Sequence, residues 1–145
     1  MKKIPSCNVF VRKKDILVAS LARTTAGFEI VIDPVFKIIG RSALSVGRAV
    51  LESIQAYQVD VPSPGPDFTK SANPLLKIAG CKSWSQLEKA SINVLVNLDS
   101  ECIWAIPTRH EIEGGFGHLN GLAVKCEMNA EEIGQAVLKA ASLSS

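Results

Sequence analysis

The chain is poor in the residues that build chemistry. Only two histidines, His110 and His118, occur among 145 residues. They do not stand at i, i+2 or i, i+4 from each other or from a cysteine, so no metal-ligand spacing is present. The four cysteines, Cys7, Cys81, Cys102 and Cys126, never form the C-x-x-C pair of a zinc or redox motif. There is no G-x-S-x-G elbow for a nucleophilic serine. No run approaches the ~18 apolar residues of a membrane helix. Lysines open the chain, but the charged cluster at residues 12–15 interrupts the apolar stretch that a signal peptide needs. Free thiols and no visible leader make the cytoplasm the expected compartment. No cofactor, metal or membrane is expected from these residues.

What is present suits one globular domain spanning residues 1–145. This length hides roughly two-thirds of the unfolded-chain surface without disulfide staples. The hydrophobic share of 47% argues against disorder. The net charge of +2 makes no case for a general polyanion binder, but its distribution is uneven. Residues 1–50 hold nine Lys/Arg against three Asp/Glu, and residues 101–145 hold three against six. A basic front and an acidic end can mark interaction surfaces.

Periodicity predicts an α+β domain, a mostly antiparallel sheet packed by about three helices. Strands are expected at residues 8–12, 16–21 and 28–32, with Asp33-Pro34 breaking the third and 35–39 extending the sheet after a kink. Ser42 should cap a helix running to about residue 57, whose apolar stripe carries Gly47. That glycine weakens the helix by about 1 kcal/mol or lets another element approach. Residues 61–67, with three prolines and a glycine, read as a loop. Short helices are expected at 74–79, ended by Gly80, and from a Ser83/Gln86 capping box to about residue 90. The firmest signal is a hairpin of 92–98 and 102–106 around the polar turn 99–101, with Pro107 ending the second strand, which reads as covered on both faces. A glycine-rich segment (114–121), a strand (123–128) and a helix capped by Asn129 and Glu132 close the chain. Phe116 is expected to plug the core from a wide turn.

Three readings of function stand side by side. The glycine-rich segment could cradle a phosphate, but it leads to a strand instead of a helix N-terminus and lacks the Gly-Lys-Ser/Thr ending; a small enzyme would use His110 or His118 beside it. A nucleic-acid module would use Lys2, Lys3, Arg12, Lys13 and Lys14, with Phe10 as the only aromatic nearby. The carboxylates Asp99, Glu101, Glu111 and Glu113 could form an acidic patch for a basic protein partner, which requires only exposure.

The order of motifs in residues 75–145 resembles the immunity proteins of bacterial contact-dependent growth inhibition systems. The resemblance rests on KIAGCKSWSQLEKAS at 77–91, CIWAIP at 102–107, the Gly-Phe loop at 115–119 and the closing EEIGQAVLKA at 131–140. It implies a cytoplasmic binding protein without catalytic residues, neutralising a cognate toxin domain by covering its active site. Such toxins are often ribonucleases, and no direct nucleic-acid contact by this chain is expected. A nuclease carries a basic groove, so the resemblance points to Asp99, Glu101, Glu111 and Glu113 as toxin-binding residues.

Overall fold

The computed structural model describes residues 4–63 and 73–145. Its strands are β1 (Ser6–Val11), β2 (Asp15–Thr24), β3 (Glu29–Ile39), β4 (Gln58–Val61), β5 (Ile92–Asp99), β6 (Cys102–His110), β7 (Phe116–His118) and β8 (Val124–Cys126). Its helices are α1 (Ala43–Ala56), α2 (Pro74–Ala79), α3 (Trp84–Ala90) and α4 (Ala130–Leu143), with a 3-10 turn at Asn120–Leu122. The strands form one sheet in the order β3-β2-β1-β5-β6-β7; β4 pairs with β2, and β8 with β6. Every pairing is antiparallel except β2 with β4. The expected α+β domain is the one observed, with four helices among the described residues.

Strand alternation sorts the core into two clusters. Cys7, Val9 and Val11 of β1, Ile16 and Val18 of β2, and Val94 and Val96 of β5 face α1 and α4. Phe10, Leu17, Ala19 and Leu21 face the opposite way, onto Leu75, Leu76 and Leu87 of α2 and α3. Burial on both faces is what makes β2 read as continuously apolar.

The caps follow the sequence. Ser42, Asn73, Ser83 and Asn129 each accept a first-turn N–H with their side chains, and Gly80 ends α2 in the left-handed region. The Gln86 side chain answers the Ser83 cap one residue early, accepting from Lys82 N–H at 2.8 Å.

Several boundaries differ from expectation. Pro34 does not break β3; the pairing shifts so that Ala19 faces Val35 and Ser20 faces Ile32, and residues 33–34 bulge out. β3 lies at the sheet edge, where a bulge and a proline are tolerated. Pro107 does not end β6, which continues to His110. Its polar edge faces the gap between β8 and β7, and its carbonyl accepts from Leu119 N–H at 2.8 Å, so its missing N–H breaks no ladder bond. β6 is only partly covered, since Trp104 is half-buried under Lys125. The segment 114–121 contains β7, and Phe116 packs half-buried on Phe10 and His110. The expected loop 61–67 begins with the last residue of β4, and its residues 64–67 lie outside the described ones.

Candidate functional site: a basic concavity and two acidic ends

The sheet separates the four nominated carboxylates. Asp99 ends β5 and Glu101 lies in the β5–β6 turn. Glu111 and Glu113 follow the other end of β6, about 30 Å away for a nine-residue strand at ~3.3 Å per residue. The expected single patch is therefore two pairs. At the first, Ser100 and Glu101 both hold positive φ, 54° and 64°, which twists a two-residue turn to match its strands. At the second, Glu111 sits 3.5 Å from Arg109 Nε, both partly exposed, and the fully exposed Ile112 stands between the two glutamates. Glu111 N–H and Gly115 O close this turn at 3.1 Å.

Among the described residues neither histidine hydrogen-bonds a serine, threonine or cysteine side chain. His110 Nε2 is 2.8 Å from Glu88 O and Nδ1 is 3.0 Å from Ser145 O, while its ring tilts on Phe116 at 4.9 Å. Both nitrogens thus lie within hydrogen-bond distance of backbone carbonyls, and the tautomer decides which of them donates. His118 is exposed on β7. Among the described residues no group of three or more His, Cys, Asp or Glu is placed to hold a metal. All described cysteines are free. Burial pushes the Cys7 thiol upward and that of Cys126 up to about 11, which suits hydrophobic filling better than nucleophilic work. Among the described residues no helix is long and apolar enough to cross a membrane.

A concave feature forms where the β1–β2 turn meets α3 and the end of α4. It consists of two adjoining depressions of about 460 and 600 Å3 that share Arg12, Lys13, Lys89 and Ala90. Arg41 and His110 line the first, Lys14 and Gln86 the second. The floor of the first is aliphatic, from Val11, Ile92, Leu138 and Ala141. Among the described residues no carboxylate lines either one. Glu88, next to Lys89, turns instead toward the glycine-rich segment, its Oε2 accepting from Gly115 N–H at 2.9 Å.

Arg12 is the structural member of this site. Its Nε and Nη2 donate to Asp15 Oδ1 and Oδ2 at 2.7 and 2.8 Å, and Nη1 donates to Ala79 O at 2.8 Å. The Asp15 carboxylate is fully buried, and these hydrogen bonds hold its pKa below the ordinary carboxylate value. Arg12 therefore clamps the β1–β2 turn onto the end of α2. Lys13, Lys14, Arg41 and Lys89 stay exposed. The excess of positive charge in residues 1–50 signalled part of this site. Lys89 and the aliphatic floor carried no such signal, because the fold alone brings them beside the turn. Lys2 and Lys3, nominated with the basic front, lie outside the described residues.

Two solved structures share this fold over the whole chain. A protein of unknown function from Neisseria meningitidis superposes with a TM-score of 0.76 at 15% identity, covering 100% of this chain and 98% of its own. A chain of the CdiA-CT/CdiI toxin and immunity complex from Yersinia pseudotuberculosis superposes with a TM-score of 0.74 at 19% identity, covering 99% of both. The likeness in fold agrees with the resemblance to immunity proteins in residues 75–145. No protein-family model matches the sequence, and no curated protein does.

Proposed function

We propose that this chain is an immunity protein that binds a cognate toxin domain and neutralises it, without chemistry of its own. The observation that carries the reading is the end-to-end likeness in fold to a chain of a toxin and immunity complex. The seating of His110 between two backbone carbonyls and the Phe116 ring supports a structural part for it over an acid–base one. The toxin is a nuclease, and the chain acts in the cytoplasm, blocking the toxin's active site from the acidic side. The Glu111/Glu113 end suits this contact best, because a fully exposed Ile112 between two carboxylates offers an apolar anchor inside a charged rim.

The test is co-purification and growth. The chain should form a one-to-one complex with the toxin domain encoded beside it and protect cells that express that domain. Glu111→Gln with Glu113→Gln should slow association and reduce its salt dependence. No complex and no protection would remove the reading.

A further inference from the structure

We infer that the concavity between the β1–β2 turn, α3 and the end of α4 is a docking site for an acidic, aliphatic segment of a protein partner. This deepens the immunity reading and rests on it for the partner's identity. Four exposed cations, Lys13, Lys14, Arg41 and Lys89, converge on two adjoining depressions that no carboxylate lines among the described residues. Asp15 behind the turn is buried and bonded to Arg12, so the four exposed cations leave an excess of positive charge, and a carboxylate-bearing segment relieves their repulsion.

The lining decides between acidic protein and nucleic acid. Single-stranded nucleic acid is held by aromatic platforms on which bases stack, and neither depression is lined by Phe, Tyr or Trp among the described residues. The floor offers Val11, Ile92 and Leu138 instead. An aliphatic floor inside a charged rim is the anatomy of a protein contact. The site is also preorganised: the Arg12 clamp on Asp15 and Ala79 O fixes the turn that carries Lys13 and Lys14. The backbone of that turn needs no ordering on binding, so the cost falls on the incoming segment and on the lysine side chains.

The experiment uses the full chain, its Lys13→Gln/Lys14→Gln/Lys89→Gln variant and the corresponding triple Glu variant, all checked for native circular dichroism. The probes are a short synthetic peptide alternating glutamate and leucine, a single-stranded RNA of equal net charge, and the toxin domain. The peptide should bind with an affinity that falls with salt, weaken about tenfold in the Gln variant and further in the Glu variant, and outcompete the RNA. Equal peptide binding by wild type and both variants overturns the site, as does peptide binding no tighter than RNA or association of the chain with itself through this face. Toxin bound equally by wild type and the Gln variant overturns the site and leaves the immunity reading standing. Toxin ignored by wild type, with peptide binding lost in the variants, removes the immunity reading and keeps the site.

Discussion

Gly47 of α1 and Gly134 of α4 form a reciprocal contact between the two helices that cover one face of the sheet. A Cβ on Gly47 would overlap the backbone carbonyl of Ala130, and one on Gly134 would overlap that of Ala43. Each helix thus uses a missing side chain to admit the first turn of the other. The helices approach backbone to backbone and bury Val46, Val50, Ile133 and Val137.

Gly47→Ala and Gly134→Ala should each destabilise the fold, although alanine favours a helix by about 1 kcal/mol. The overlap is with backbone, which cannot rotate away, so a net loss of about 1–3 kcal/mol is expected. Urea denaturation checks this. Alanine at exposed Ser45 of the same helix should leave the midpoint unchanged or raise it.

The Asp15 carboxylate should make part of the acid stability. Its folded-state pKa is depressed, so its contribution is present above the unfolded value of about 3.9 and is lost as pH falls through the folded value. Asp15→Asn removes a buried partner of Arg12 and should cost about 3–5 kcal/mol near neutrality. The deficit should shrink as the solution is acidified below about pH 4. Urea midpoints of both proteins from neutral to acid pH measure the convergence; a constant gap would contradict it.

Tyr57 is the chain's one tyrosine, so phenolate absorbance reports it alone. Burial first, then the neighbouring Glu29, push its pKa up to about 12, and its hydroxyl donates to Glu29 Oε2 at 3.1 Å. The native protein should titrate near that value and the urea-unfolded chain near about 10. Because the folded value is the higher one, stability should be full below the unfolded value and fall as pH rises toward the folded one. Glu29→Gln should shift the native titration downward.

Glu101 is a non-glycine residue held at positive φ in the β5–β6 turn. Glu101→Gly should stabilise the fold by about 0.5–1 kcal/mol, the relief of left-handed strain less the added freedom of the unfolded chain. A rise in thermal midpoint with unchanged circular dichroism is the expected result. If the same variant weakens toxin binding, that turn belongs to the interface as well.

Local signals in the sequence sufficed for the elements whose determinants lie within a few residues. The caps at Ser42, Ser83 and Asn129, the stop at Gly80, the β5–β6 hairpin and the stripe of α4 depend on nearest-neighbour hydrogen bonds and on helical or strand periodicity. The prolines misled because their effect depends on what lies beside the strand. Pro34 sits in an edge bulge and Pro107 faces a gap between two short strands, facts set by partners distant in sequence. β4 escaped notice because four residues carry too little pattern, and its pairing with β2 supplies the order.

The same division holds for function. The sequence by itself determined an α+β domain, a basic front, an acidic end and a C-terminal half like that of immunity proteins. Only the tertiary structure decided how those charges group. It parted Asp99 and Glu101 from Glu111 and Glu113 along β6, and it brought Lys89 beside Lys13 and Arg41 over an aliphatic floor. Charge sums along a chain are blind to this, because a strand carries its two ends apart while helix and turn packing joins residues tens of positions away.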